Sequence, residues 1–335
     1  MSTTTSTVTD ALPESVTNPR GPRYRQQLQQ ILAFAGLVVI FAFFSIASPY
    51  FLDWANVKGI LLASAVTGIM ALGATFVIAT GGIDLSVGTG MTLCSVMTGV
   101  FLTNLGLPLV VGVLGGIATG ALLGLVNGLN VSFLGIPPFI ATLATMMVAQ
   151  GLSLVISGTK PIYFSDVDGF TQIALGELIP GLPNAVLIFF AAAVVAGVLL
   201  SKALIGRYAL SIGSNEEATA ISGIDVRRWK VAVYTVAGVF TGLAGVVMAS
   251  RLNSAQPGLG LGYELEAIAA VVIGGTSLRG GKATVLGTVI GALIMATLTN
   301  GLRIMSIPQE WQKVAVGIVI LLAVYTDILR RGKDA

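Results

Sequence analysis

The chain has 335 residues, of which 55% are hydrophobic and only 10% charged, against about 25% charged in an ordinary soluble domain. That balance excludes a soluble globular protein and requires an integral membrane protein. The net charge of +3 does not mark a nucleic-acid binder, because Lys and Arg gather beside apolar runs, where they orient a membrane chain. There is no histidine and one cysteine, Cys94, inside an apolar run. His-dependent triads, the common zinc constellations and an intrachain disulfide are therefore removed, and neither a catalytic residue nor a metal site is expected.

No strict apolar and polar alternation suggests an outer-membrane barrel. The expected fold is all-α, a polytopic bundle of about ten transmembrane helices. Residues 1–27 read as a mobile cytoplasmic tail without the pattern of a secretory signal. Arg20, Arg23 and Arg25 hold that tail inside, before a first span Leu28 to Ala47. Next come Gly59 to Ala79, Leu85 to Asn104, Leu107 to Phe133 and Pro138 to Ile156, the last entered through the helix-breaking Gly135-Ile136-Pro137-Pro138. The polar segment Gly158 to Asn184 carries Asp166, Asp168 and Glu177 against Lys160 and suits the outer face.

The sixth span, Ala185 to Ile205, leads into a polar island, Gly206 to Lys230. The seventh is Val231 to Ala249, the eighth a short run Leu265 to Ile273, the ninth Thr284 to Leu302 and the tenth Val314 to Leu329, before a basic tail 330–335. Ten spans put both termini in the cytoplasm and make 28–329 one membrane domain. The positive-inside rule supports this, since the island, Arg279 with Lys282, and both tails are richer in cations than the outer loops. The short eighth span is its weakest member.

Gly112, Gly116, Gly120, Gly124 and Gly128 recur every fourth residue and predict a groove for close helix approach. Two echoes, residues 78–85 with 272–278 and Asn127-Gly128-Leu129 with Asn300-Gly301-Leu302, hint at a duplicated transporter architecture without fitting a simple inverted pairing.

In the island, Ser214-Asn215-Glu216-Glu217 has the form of a capping box, so a short helix is expected to start near Asn215 and stop at Gly223. It reads either as a tethering cytoplasmic loop or as a docking helix for a soluble partner. Asp84, in Gly81 to Gly88, either caps the third span or lies on a translocation path. The segment Arg251 to Glu266 concentrates Asn253, Gln256, Tyr263, Glu264 and Glu266. These could exchange hydrogen bonds with a hydroxyl-rich solute, or form an outer loop with a carboxylate at a helix start. Asp84, Asn127, Asn253, Gln256, Tyr263, Glu264 and Glu266 are the candidates for the path or gate. Gly275 to Ala283 superficially suggests a phosphate loop but lacks its first glycine and its magnesium-binding hydroxyl, so ATP chemistry belongs to another subunit.

Residues 76–90, LLGLVNGLNV, PPFIATLATM, GRYALSIGSNEEATAISGI and RLNSAQPGLGLGYELEAIAAVVIGGTSLRGG together resemble the permease subunits of bacterial ATP-binding-cassette importers of the ribose, xylose, arabinose and galactose group. The resemblance runs from about Leu28 to the C-terminus, with Ala144 a small departure from the usual glycine. It implies an inner-membrane, homodimeric permease in lipid, fed by a periplasmic sugar-binding protein and driven by cytoplasmic ATPase subunits that hold the ATP and Mg. It also implies that the island is a coupling loop, with Ser214, Asn215, Glu216, Glu217, Ala218, Ile221 and Gly223 at the ATPase contact, and that this chain binds no cofactor. An ion-coupled secondary transporter using Asp84, Glu264 or Glu266, and a related permease for an amino acid or nucleoside, are the alternatives. The scarcity of fixed charge in the spans favours a neutral, hydroxylated cargo.

Overall fold

The computed structural model describes residues 21–331, with side chains from Gln30 to Tyr325. The helices in chain order are α1 (Gly21–Ala47), α2 (Trp54–Ala79), α3 (Val87–Gly99, extended by a π-helical turn Val100–Asn104), α4 (Leu109–Ser132), α5 (Pro138–Ser157), α6 (Gln172–Leu175) and α7 (Asn184–Ser201). They continue with α8 (Leu204–Ser214), α9 (Glu216–Ile221), α10 (Val226–Leu252), α11 (Tyr263–Ile273), α12 (Val285–Ile304) and α13 (Gln309–Arg331). Every expected span contains a helix. The chain is an all-α, multi-pass membrane protein.

Seven of these helices, α1, α2, α4, α5, α7, α10 and α12, are long and apolar enough to cross a membrane. α11 is not: its 11 residues rise about 16 Å, roughly half of a bilayer core. The eighth span is thus a half-helix, and its pass is completed by residues 253–262 descending to meet it. α3 is likewise short, following a non-helical stretch, residues 80–86. Two passes are interrupted, one after α2 and one after α10.

Three other expectations shift. α1 starts at Gly21, so residues 21–27 of the supposed tail are helical, Pro22 being tolerated in a first turn; residues 1–20 and 332–335 lie outside the described residues. The sixth span ends at Ser201 rather than Ile205. The island is two short helices, α8 and α9, and the first turn of α10.

α2 and α10 are the axis of the bundle, with 83% and 67% of their membrane windows buried against 11% for α1 and 22% for α4. They run antiparallel and touch closely: a Cβ added at Gly73 would lie 2.9 Å from Ala237 O and from Phe240 Cβ. The α4 glycine stripe faces α10 as expected. A Cβ at Gly120 would meet Gly238 O and lie 2.6 Å from Gly242 N, and one at Gly128 would lie 2.7 Å from Val231 Cα. Backbone thus packs on backbone along both sides of α10. Exposed large apolar side chains, such as Val110, Val148 and Val194, cover the outer faces of α4, α5 and α7, as a lipid-facing surface requires.

At the end remote from the island, Ile162–Tyr163 (β1) pairs antiparallel with Ser254–Ala255 (β2). Phe164 and Phe170, ring centroids 4.1 Å apart, fill the space beneath this pair. The pairing fixes where the interrupted pass after α10 begins its descent.

Candidate docking and translocation sites

At the island end, α9 is a six-residue helix set by its own sequence. Asn215, in extended conformation, accepts at Oδ1 from Ala218 N at 2.9 Å and is the N-cap. Ser214 is the last residue of α8, so the expected capping box is replaced by an Asn cap one residue later. The reason is local: Ser214 is still the last helical residue of α8, which leaves Asn215 as the first residue free to leave helical geometry. Gly223, at φ +84°, ends the turn as a left-handed residue should.

α9 lies on the surface with Thr219 buried beneath it. Ser214, Asn215, Glu216, Glu217, Ala218 and Gly223 are exposed. Ile221 is 80% exposed, an apolar side chain at the tip of a polar helix. Lys230 Nζ reaches Glu216 at 2.7 Å and ties α9 to the start of α10, while Tyr208 packs on Trp229 with ring centroids 4.6 Å apart and ties α8 to it. The seven residues of the expected coupling set thus form one continuous surface.

Beneath that surface three backbones meet. Gly281 N donates to Ala79 O at 3.0 Å. A Cβ at Gly213, in the last turn of α8, would meet Ala79 O and lie 2.5 Å from Gly281 N, and a Cβ at Gly280 would lie 2.6 Å from Gly81 N. Gly81, Gly280 and Gly281 all have positive φ. α8 is thereby seated directly on the stretches that follow α2 and α11. The same contact occupies the loop that superficially suggested a phosphate cradle: Ser277 N, Gly280 N and Gly281 N already donate to the carbonyls of Lys282, Ser277 and Ala79. Sequence reading missed this contact, although the positive-φ glycines were its signal.

Asp84 lies just inside that contact, 4% exposed. Its Oδ1 accepts from Ser86 N at 2.8 Å and Ser86 Oγ at 2.6 Å, and Asn127 Nδ2 donates to Ser86 Oγ at 2.8 Å. Thr142 Oγ1 accepts from Leu85 N at 3.1 Å, pinning the stretch to α5. Asp84 and Asn127 therefore belong to one closed knot that organises the turn into α3.

The other path candidates lie around the second interruption and do not act together. Asn253, at φ +50°, ends α10, and its carbonyl accepts from Phe164 N at 3.2 Å. Gln256 Nε2 donates to Ser254 Oγ at 2.9 Å. Glu264 folds back, accepting from Gly262 N at 3.0 and 3.1 Å. The descent ends against α3, where a Cβ at Gly260 would lie 2.5 Å from Thr92 Oγ1.

Tyr263 and Glu266 instead line a cavity of about 790 Å³ bounded by α2, α11, α12, α13 and residues 258–262. Its volume falls in the range of ligand pockets, roughly 300–1,000 Å³. Arg251, Thr67, Thr299, Arg303, Gln309, Gln312 and Lys313 complete its polar lining. The cavity corrects the sequence view that the spans offer little fixed charge, since residues from helices far apart in sequence converge on it. Thr67 lies in an apolar run, and Arg303 and Gln312 fall between the ninth and tenth expected spans, so nothing local announced them.

Comparison with known proteins fits this architecture. Residues 56–324 match the family described as branched-chain amino acid transport system / permease component. The chain is 44% identical to the ribose import permease protein of Bacillus subtilis (strain 168), over 90% of this chain and 93% of that one. It is 39% identical to the ribose import permease protein of Escherichia coli (strain K12), over 92% and 97%, and 37% identical to the D-allose transport system permease protein of the same strain, over 88% and 90%. No solved structure gives a significant match. With the match spanning nearly every helix described above, this chain belongs to the family of branched-chain amino acid transport system permease components.

Proposed function

We propose that this chain is the membrane-spanning permease subunit of an ATP-binding-cassette importer that carries a monosaccharide, a ribose-like pentose or a hexose. The cargo class rests on the relatives, which cover nearly the whole chain and are named for ribose, D-allose and L-arabinose. The family description names amino acids, whereas these relatives, matched over nearly their whole length, are named for sugars.

In this reading the island end is cytoplasmic in the inner membrane, with both termini on that side. A partner ATPase carrying ATP and Mg docks on α9, a periplasmic binding protein delivers sugar at the opposite end, and two copies of the chain flank one path. The chain performs no chemistry of its own. The observation that carries the reading is the seating of α8, which leads directly into α9, through Gly213 on the stretches that follow α2 and α11. A push on α9 reaches backbone at once, and backbone in contact with backbone has no soft side chain to absorb the displacement. ATPase closure would shift the two ends of the bundle between alternative packings, exposing the path first outward and then inward.

The test replaces Ile221 with Asp. This puts a charge at the tip of α9 without touching its cap or its buried Thr219. Co-purification of the ATPase should fall about tenfold or more, as truncation of a central contact residue does, while the permease still inserts and remains monodisperse. Undiminished assembly together with undiminished sugar uptake would defeat the assignment.

A further inference from the structure

We propose that the cavity at the head of α11 is a sugar-binding subsite of the permease itself, built for one neutral aldose ring. The proposal rests on the monosaccharide-import reading and goes beyond it. It places a recognition step inside the membrane subunit, in addition to any selection made by the binding protein.

The lining has the mixed chemistry a polyol needs. Every sugar hydroxyl both donates and accepts, so a site must offer both functions on several sides. Arg251 and Arg303 supply guanidinium donors, Glu266 supplies acceptors, Gln312 supplies both, and Thr299, whose hydroxyl donates to Met295 O, supplies an acceptor. Among the described residues neither arginine nor Glu266 is in an ion pair, and the single hydrogen bond of Arg251 is a long one, 3.4 Å, to Leu62 O. Most of the arginines' donor capacity is therefore free for a ligand, while Glu266 shares part of its acceptor capacity with Thr67. The phenol of Tyr263 lies among the charges of Glu266, Arg251 and Arg303, and its ring offers a flat apolar face to sugar C–H bonds.

Other ligand classes fit less well. An anion would find Arg251, Arg303 and Lys313 but would also meet the Glu266 carboxylate, whereas a neutral polyol can use both kinds of group. An apolar solute would leave two guanidiniums and a carboxylate desolvated without partners, which is costly. The floor of the cavity is the first turn of α11, whose opposite end leads into the backbone contact under α8. Occupancy of the site thus has a short physical route to the ATPase face.

The experiment uses the full permease with its ATPase. Uptake with the binding protein is first measured for D-ribose, L-arabinose, D-allose, D-xylose and D-galactose, and the best-transported sugar becomes the probe. Failure of all of them would sink the import reading and this proposal with it. Without the binding protein, the probe should then protect Thr299→Cys, in a Cys94→Ser background, from maleimide. Protection should be saturable, slowing labelling about threefold at twice the half-protecting concentration. In uptake, Glu266→Gln should raise KM about tenfold, the scale of a lost charged hydrogen bond, with ATPase assembly retained. Normal transport with no protection and an unchanged KM would overturn the subsite while leaving the import reading intact. Better protection by D-galacturonate than by the probe would overturn its neutral class.

Discussion

The two interrupted passes solve one problem in opposite ways. After α2 the chain leaves helical geometry for residues 80–86, and its contacts turn inward: Asp84 is buried on Ser86, Asn127 locks Ser86 while its own Oδ1 stays buried and unpaired, and Gly81 faces Gly280. After α10 the chain wanders for residues 253–262 and its polar groups divide. Glu264 turns inward onto Gly262 N, while Tyr263 and Glu266 face a cavity. Both stretches break a membrane helix, which is tolerated only where the freed backbone is buried in protein or lines a cavity. The first break uses the former solution and the second uses mostly the latter. A carboxylate in a membrane span is therefore no guide to function until its partners are known.

The sharpest way to break this comparison is at the point where the two interruptions touch. A Cβ at Gly88 would meet Gly260 O and Glu264 Oε2 and lie 3.1 Å from Glu264 N. Gly88→Val adds three carbons against backbone, an overpacking that costs about 1–3 kcal/mol or more. The variant should lose most of its monodisperse protein in detergent and melt well below the wild type. An unchanged melting temperature would mean that the two breaks are not in contact.

Asp84 comes next. Asp84→Ala removes the acceptor for Ser86 N and Ser86 Oγ and leaves buried donors unpaired, a cost of about 1–3 kcal/mol. Asp84→Asn keeps an oxygen in place and should restore most of the loss, with sugar uptake close to that of the wild type. If Asp84→Asn melts normally yet abolishes uptake, Asp84 serves the path and the closed break is functional as well as structural.

How much of this was legible follows from what each feature depends on. The spans were readable because roughly 20 apolar residues leave the backbone no alternative to a helix. The α4 glycine groove was readable because a four-residue period places Gly116, Gly120 and Gly124 on one face whatever the neighbour. The start and stop of α9 were readable to within one residue, since Asn215 and Gly223 act locally. The half-length of α11 was hinted at by its short apolar run, but how residues 253–262 complete the pass depends on β1, some ninety residues earlier in the chain. Of the cavity only the Tyr263 and Glu266 side was readable, for its remaining wall joins Thr67, Thr299 and Gln312 from three other helices. Asp84 stayed ambiguous because its partner Asn127 lies on another helix.

Two smaller effects sharpen the contrast further. α9 continues from α8, which sits on the closed break, so loosening it should be felt there and not at the open one. Asn215→Ala removes the cap and should cost about 1 kcal/mol locally. Amide exchange should then quicken across residues 216–221 and spread to 79–82 through the Gly213 contact, while residues 253–262 keep their wild-type rates. Faster exchange at 253–262 instead would mean that the island communicates with the cavity by a different route.

The smallest expected effect is a pH dependence at the far end. Glu177 accepts from Lys58 Nζ at 2.9 Å and from Gly181 N at 2.7 Å. The hydrogen bond from Lys58, with that from Gly181 second, holds its carboxyl below the ordinary glutamate value of 4.5. A carboxyl lowered on folding adds stability that is fully present above the unfolded value and is lost as pH falls through the folded one. The pair joins the first turn of α2 to the loop that carries β1, which in turn anchors the open break. Acidification from pH 6 to below the glutamate range should therefore lower amide protection, taken relative to the intrinsic exchange rate at each pH, in residues 176–182 first and in β1 and β2 next, with protection of residues 80–86 unmoved. Glu177→Gln should show the lower protection already at pH 6 and no further loss of protection on acidification. If acid loosens residues 80–86 as readily as β2, the two breaks share one anchor and the division between closed and open passes is lost.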